Sequence, residues 1–267
     1  VSLTLPIRYL PRGVATPEYS MAYSTLRAAG TFTINEAAPL SRPRYVDGIS
    51  TIFSGFNENE LEATPYFTWQ QMSYQPGTVP EGNGPYRIGS GEYLLLDMGR
   101  NYTGFLQARI RVIKDAHIFI SFDEKLDNGV INPKRIDMIN LLDYHLTRKD
   151  GFVELESFEV YGWRFMQVMV LEGEIELEGT GVRQYIYPVP EQELGSEDPL
   201  ANEIYAAAVE TFRQNTLDVF MDCPTRERAG WLCDSFFTAR SEYYYTGKSQ
   251  VERVFMENYR LYEGGTN

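Results

Sequence analysis

The chain has 267 residues and a hydrophobic content of 43%, which predicts a substantial core in one large or two ordinary domains. Its formal net charge is −13, with 24 Lys and Arg against 37 Asp and Glu, so neither nucleic acid nor an anionic membrane surface is expected as a partner. No apolar run reaches the roughly 20 residues of a membrane span. Val1 is not expected to begin a signal peptide. The compartment stays open, with a periplasmic or secreted location slightly favoured over a cytoplasmic one.

Residues 1–88 combine frequent Gly and Pro with short β-prone runs, a pattern typical of an irregular β region. Short strands are predicted within 31–34, 49–53 and 66–69. Residues 75–85 are rich in turn residues and are predicted to form a surface loop. The pattern does not decide whether this region is a domain of its own or supplies outer strands to the region that follows.

Residues 89–190 have the most regular strand pattern and are predicted to form an antiparallel β-sandwich domain. Residues 105–112 alternate apolar and polar side chains, and 117–122 follow a predicted turn at Lys114 and Asp115. We therefore predict that these two runs form an antiparallel pair with one buried face. Other short strands are predicted within 93–97, 153–156, 164–170, 175–178 and 182–187.

Residues 191–267 are predicted to be helical, because the apolar period changes after the linker that begins at Pro188. A first helix is expected from an Asp198 cap to about Val219. Asp234 is expected to cap a second helix that stops at Gly247, and a third helix is expected over 249–262. Helices joined by loops predict the opening of an all-α domain.

The stretch 221–234, between the first two predicted helices, holds three carboxylates, two arginines and a tryptophan. Pro224 and Gly230 interrupt it, so it is predicted to be a rigid polar connection, a common position for a functional site. Carboxylates beside an indole suit a sugar, because acids transfer protons and bind hydroxyl groups while the indole covers an apolar ring face. The alternative interpretation is a capped loop with surface charges.

This stretch resembles the motif of the α-L-rhamnosidase family of glycoside hydrolases. The family pattern reads roughly Asp-Cys-Pro-x-Arg-x-Glu/Arg-x-Gly-Trp-x-Gly-Asp, with small variations among its members, and Cys233 departs from its usual last Gly. Two weaker similarities precede it, the strand end Asp97-Met98-Gly99 and the run 158–165. Within that run, packing and domain contact are the favoured roles of Trp163 and Arg164. The matching positions of the motif are Asp222, Cys223, Pro224, Arg226, Glu227, Gly230, Trp231 and Asp234.

The resemblance implies an inverting glycosidase that cleaves terminal α-L-rhamnose from an oligosaccharide or glycoside. It implies Glu227 as the general acid, and Asp222 and Asp234 as residues that bind rhamnose hydroxyl groups. It implies that Arg226 lines the pocket and that Trp231 contacts the apolar face and the C6 methyl group. The fold that it implies is a β-sandwich followed by an (α/α)6 barrel.

The family's general base comes from much later in such a barrel, so 191–267 are expected to hold only the first, incomplete part of the catalytic domain. We predict that these residues alone do not hydrolyse glycosides and that their helices expose apolar faces. A second hypothesis is a non-catalytic carbohydrate-binding β-sandwich module with a helical appendage. Four other carboxylates on the helical patterns are predicted to be solvated: Glu242, Glu252, Glu257 and Glu263.

Cys223 and Cys233 are the only cysteines, which excludes a disulfide framework. A single bridge between them is left open, and two reduced, buried thiols are favoured. The only histidines, His117 and His145, lie far from both cysteines in the sequence, so no metal site and no cofactor are predicted.

Overall fold

A computed structural model describes residues 11–40, 64–82, 84–136 and 139–261. The chain separates into two compact units. The β unit comprises the described part of residues 20–184, and the helical unit comprises the described parts of residues 1–19 and 185–267. The strand predicted at 49–53 lies outside the described residues. No described helix is both long and apolar enough to cross a lipid bilayer.

The described part of the β unit is an antiparallel sheet with one short helix. The sheet has seven strands in the order β1-β7-β5-β2-β3, with β4 paired to β7 and β6 paired to β5. The elements are β1 (Met21–Tyr23), β2 (Thr25–Ile34), α1 (Thr64–Gln70), β3 (Met72–Pro76), β4 (Tyr86–Gly89), β5 (Glu92–Asp123), β6 (Leu141–Leu146) and β7 (Val153–Gln184). Strands from both sides of residue 88 therefore pair in one sheet.

The strands β5 and β7 are 32 residues each and bend, so that each contributes to two layers of a β-sandwich. In one layer, Leu94 and Ile120 of β5 pair with Val168 from opposite sides. In the other layer, Ala108 pairs with Leu155 on one side and with Thr180 on the other. Crossing between layers in this way lets one extended segment contribute to both sides of the core.

The space between the layers holds the main apolar core. Alternate residues of the same strand enter different clusters, as the two-residue period of extended backbone requires. In β5, Leu94 and Leu96 enter the main core, whereas Tyr93 and Leu95 enter a second cluster on the other face of their layer. The main core also includes Leu106, Ile110, Ile118, Ile120, Trp163, Met166, Val168, Ile175 and Leu177.

Two predicted local structures of the β unit are wrong. The runs 105–112 and 117–122 do not pair with each other, because both lie in β5 and each pairs with β6 or β7. They lie in opposite layers, so their apolar sides meet across the core. The strand predicted at 66–69 is the helix α1. There Tyr66 stacks on Trp69 with ring centroids 5.7 Å apart, which is the i,i+3 contact of a helix.

The two weaker family similarities meet in the β unit. Arg164 donates hydrogen bonds of 2.8 and 3.1 Å to the two oxygens of Asp97, and this pairing holds the pKa of the Asp97 carboxyl below its usual range. The Gly99 N–H also donates to Asp97 over 2.7 Å, from a backbone φ of +80° that favours glycine. Trp163 is fully buried in the core, so its predicted packing role is confirmed.

The helical unit contains three described helices, α2 (Pro199–Gln214), α3 (Leu232–Thr246) and α4 (Gln250–Leu261). As predicted, the Asp198 side chain caps α2, accepting from the Leu200 N–H over 3.0 Å. As also predicted, Gly247 ends α3 in the left-handed conformation, with φ of +68°. The first helix ends at Gln214 and not near Val219, because the chain turns back at a bridge between Thr216 and Phe220.

The core of the helical unit is aromatic and small. It is formed by Tyr187, Phe212, Phe220, Ala239, Val251 and Phe255, with Val14 and Ala15 packed against it. Glu18 fixes the early segment to this unit, since it forms an ion pair of 2.7 Å with Arg213 and a backbone bridge to Ile186. The predicted exposure of apolar faces is confirmed, because several large side chains of the helices are exposed: Leu200, Ile204, Phe236, Phe237, Tyr244 and Met256.

Candidate functional site

The loop that carries the acidic motif is closed by Asp222. Its backbone N–H donates to the Ala229 carbonyl over 3.0 Å, and its Oδ1 accepts from the Ala229 N–H over 2.8 Å. The Cys223 thiol donates to the other carboxylate oxygen over 3.1 Å. Asp222 is half-buried, and both of its oxygens are engaged within the loop. This carboxylate therefore has a structural role, whatever it binds.

The loop is anchored on α4 through Gly230. A Cβ atom at this position would lie 2.7 Å from the Phe255 ring, so only glycine fits without a shift of that ring. The Tyr259 hydroxyl donates to the Gly230 carbonyl. Arg228, with φ of +52°, is a non-glycine residue of this loop in the left-handed region, which is uncommon and consistent with a turn there. The loop is thus held in one shape by packing as well as by hydrogen bonds.

Glu227 interacts with two other motif residues. The Trp231 Nε1–H donates to Glu227 Oε2 over 2.6 Å, and an Arg226 nitrogen lies 2.7 Å from Glu227 Oε1. The Glu227 side chain is 38% exposed and Trp231 is 55% exposed. Hence the two partners orient the carboxylate without covering it, and a ligand can reach both it and the indole face.

Asp222 and Asp234 line a cleft of about 450 Å³ between α2 and α3. Asp234 is exposed in the first turn of α3 but is not its cap, which corrects the prediction. The cap residue is Trp231, which makes no side-chain capping bond, and the helix starts two residues before Asp234. A carboxylate in a first turn is still favourable because it faces the positive end of the helix dipole. Aromatic rings also line the cleft: Phe212, Phe237 and Tyr245.

The predicted site residues therefore fall into two groups. Asp222 and Asp234 share the cleft, whereas Arg226, Glu227 and Trp231 form a contiguous exposed trio that is not part of its lining. The structure connects the groups through the loop itself, which runs from Asp222 to the start of α3.

Glu242 has a role that the sequence reasoning missed. Its predicted solvated position is wrong, because it is fully buried and accepts from the N–H groups of Val251 and Glu252 over 2.8 and 2.9 Å. Burial raises the pKa of this carboxyl. Glu242 thus caps the first turn of α4 from the neighbouring helix. The sequence signal for this contact between α3 and α4 is the short turn at Gly247, because it places the two helices next to each other along the chain. Glu257 is exposed, as predicted, and Glu263 lies outside the described residues.

The two cysteines are free thiols in this structure. Cys223 is half-buried, whereas Cys233 is exposed in the first turn of α3. The prediction of two buried thiols is therefore wrong, because Cys223 is only half-buried and Cys233 is exposed. The first three residues of α3 are all exposed, and Ser235 is the first buried residue of the helix.

Residues 192–262 match the family model of the bacterial alpha-L-rhamnosidase 6 hairpin glycosidase domain. The matched segment contains α2, α3, α4 and the complete acidic motif. The resemblance to the α-L-rhamnosidase family of glycoside hydrolases, predicted from the motif, is confirmed by this match. No curated protein sequence matches the chain.

Solved α-L-rhamnosidase structures share the fold. The GH78 family rhamnosidase of Bacillus sp. GL1 aligns with a TM-score of 0.62 and 23% identity, over 72% of this chain and 22% of that chain. A rhamnosidase from Klebsiella oxytoca with rhamnose bound aligns at 0.61 and 16%, over 89% and 43%. The Streptomyces avermitilis α-L-rhamnosidase complexed with L-rhamnose aligns at 0.52 and 20%, over 65% and 17%. The chain thus spans less than half the length of each of these enzymes.

Proposed function

We propose that the chain is part of an inverting glycosidase that removes terminal α-L-rhamnose from glycosides. The observation that carries the proposal is the complete acidic motif, held in one closed loop inside the segment that matches the glycosidase family model. Two enzymes of similar fold hold rhamnose, which supports a sugar as the ligand. The net charge of −13 suits a neutral ligand better than a nucleic acid or an anionic membrane.

In this proposal Glu227 is the general acid that protonates the departing glycosidic oxygen. The Trp231 N–H holds one oxygen of the carboxyl group in a fixed direction, and its other oxygen faces Arg226. An acid that is oriented before the substrate arrives loses less entropy in the transition state. The exposed indole beside it offers an apolar surface to the sugar ring and its methyl group.

Asp222 and Asp234 are proposed to bind sugar hydroxyl groups in the cleft. A hydrogen bond between a carboxylate and a hydroxyl group is charge-assisted and contributes about 1.5–3 kcal/mol. The two residues differ in a testable way, because Asp222 also closes the loop whereas Asp234 is exposed and is not the cap of α3.

The rest of the catalytic domain is proposed to follow the (α/α)6 barrel, with 191–267 as its first helices and the general base outside these residues. An inverting site separates its two carboxyl groups by roughly 6.5–9.5 Å. Glu242, the most buried carboxyl group of the described helices, is engaged as the cap of α4 and is not free for that role.

The decisive experiment compares the hydrolysis of rhamnosides by a full-length enzyme that contains this segment with that by its Glu227→Gln variant. Hydrolysis of natural rhamnosides should fall by roughly 100-fold or more, whereas aryl rhamnosides with good leaving groups should lose less because they need little proton assistance. Glu257→Gln, an exposed carboxyl on α4, is the matched control. Equal and small losses on both kinds of substrate would overturn the assignment.

Calorimetric titration with rhamnose tests whether Asp222 and Asp234 bind the sugar. Asp234→Asn should weaken binding and lower the unfolding free energy only slightly, through the loss of its interaction with the helix dipole. Asp222→Asn should weaken binding and also destabilise the loop. Unchanged rhamnose affinity in both variants would leave these carboxylates with structural roles alone.

A further inference from the structure

The only two histidines of the chain lie side by side on the β unit, far from the acidic loop in sequence. His117 of β5 and His145 of β6 are direct partners in the antiparallel ladder. Their imidazole rings stack with centroids 4.1 Å apart and planes 19° apart. Asp143, two residues before His145 on the same strand, projects to the same face.

The three side chains lie close together. Asp143 Oδ1 is 2.7 Å from His117 Nε2 and 3.9 Å from His145 Nε2. One potential ligand atom from each residue lies within 4.8 Å of the other two. We propose that His117, Asp143 and His145 form a binding site for a divalent transition metal ion of the Zn²⁺ type, and none of the three residues belongs to the acidic motif.

The distances fit such an ion. A tetrahedral Zn²⁺ with bonds of about 2.05 Å separates its ligand atoms by about 3.3 Å. The two observed separations of 2.7 and 3.9 Å bracket that value. The two imidazole planes are stacked, so the exposed His145 ring has to rotate out of the stack for both rings to bind one ion. Two imidazoles and one carboxylate are a ligand set that zinc uses in proteins, and water completes the coordination.

The site is partly preorganised by the fold. The ladder fixes the backbones of both strands, and the His117 ring packs edge-on against Phe119 with centroids 5.2 Å apart. His117 is 22% exposed and Asp143 is 31% exposed, while His145 is 76% exposed. One ligand is therefore held by packing, and the most exposed one leaves the ion open to water. The net charge of −13 attracts cations to the surface.

Titration of the metal-free chain with Zn²⁺ tests the proposal, in a Cys223→Ser, Cys233→Ser background that removes the thiol ligands. Two imidazole signal sets are expected in long-range ¹H–¹⁵N spectra because the chain has two histidines. Both sets should shift on binding, at one Zn²⁺ per chain. Shifts of only one ring, or one ion shared by two chains, would overturn the three-ligand site.

Variants identify the ligands. His145→Gln changes an exposed side chain and should lower the Zn²⁺ affinity by about tenfold or more, as should Asp143→Asn. Asp150→Asn removes the same charge from an exposed turn of the β unit and should leave the affinity unchanged. An unchanged affinity in His145→Gln, or equal losses in Asp150→Asn, would show that Asp143 and His117 form an ordinary hydrogen bond and no metal site.

Discussion

The two oxygens of the Glu227 carboxylate have partners of different chemical kinds. Arg226 supplies charge at one oxygen, and Trp231 supplies a neutral, rigid N–H donor at the other. A charged partner on a flexible side chain fixes direction less well than an indole, whose position is set by only two side-chain torsions. In the proposed glycosidase, Trp231 thus has a positioning role in addition to its sugar contact.

Trp231→Phe should separate these two roles. The phenyl ring keeps an apolar face but cannot donate to Glu227, so kcat on natural rhamnosides should fall by about tenfold because the acid is less well oriented. The affinity for free rhamnose should change much less. Tyr244→Phe, which alters an exposed aromatic residue of α3, is the control. A loss of rhamnose affinity with kcat unchanged would contradict the positioning role.

Asp97 and Arg164 provide a second prediction at the scale of single residues. The lowered pKa of Asp97 means that its ion pair stabilises the fold above the unfolded-state pKa of about 3.9, and that this contribution is lost as the pH falls through the folded-state value. Asp97→Asn should therefore lower the unfolding free energy by about 1 kcal/mol at pH 7, a small value because Arg164 is 38% exposed.

Denaturant unfolding of the variant and of the original chain at several pH values measures this contribution. The difference between them should shrink below about pH 4. Asp150→Asn, at an exposed turn, should show no such pH-dependent difference. A difference that stays constant down to acid pH would mean that packing, and not charge, explains the loss.

At the scale of elements, a buried carboxyl group links the helices α3 and α4. Glu242 lies near the end of α3, yet it satisfies N–H groups in the first turn of α4. The first N–H groups of a helix have no partner within it, so an acceptor from a neighbouring helix fixes where the second helix begins. This contact sets the geometry of the helical hairpin that supports the loop at Gly230.

The raised pKa of Glu242 gives its contribution an opposite pH dependence. Its stabilisation is fully present below the unfolded-state pKa of about 4.3 and is lost as the pH rises through the folded-state value. Glu242→Gln, which stays neutral, should make the stability of the helical unit less dependent on pH above that range. Glu257→Gln is the exposed control on the same pair of helices.

Thermal or denaturant unfolding, followed by the helical circular dichroism band, provides the measurement. Glu242→Ala should destabilise the unit at every pH, by about 1–3 kcal/mol, because buried N–H groups lose their acceptor. If Glu242→Gln shows the same pH dependence as the original chain, another group is responsible for it.

At the scale of the whole molecule, the chain combines a well-filled β-sandwich with helices that expose large apolar side chains. Phe237 is 67% exposed and Tyr244 is 78% exposed, although both lie on helices of the segment that matches the glycosidase model. Exposed apolar side chains on adjacent helices favour association with other apolar surfaces. In the proposed barrel, neighbouring helices would cover them.

These 267 residues by themselves should show no measurable rhamnosidase turnover, since the proposal places the general base outside them. The purified chain is assayed on aryl rhamnosides beside its Glu227→Gln variant, which reveals contaminating enzyme. Turnover that depends on Glu227 would mean that a carboxylate of this chain, or of a second copy, activates the water.

The sequence by itself determined the elements whose signals are local. Asp198 and Gly247 were predicted as helix boundaries because a cap and a left-handed glycine act on their own backbone. The family resemblance could also be recognised from the sequence, because its motif is a continuous run of mixed residue types.

Only the tertiary structure decided the features that depend on contacts between residues distant in the sequence. The alternation of apolar and polar residues over 105–122 is the same whether the two runs form a hairpin or lie in opposite layers of the sandwich. Packing across the core favours the second arrangement. Glu242 is buried, and His117 meets His145, because separate elements pack against each other, and no local periodicity encodes that contact.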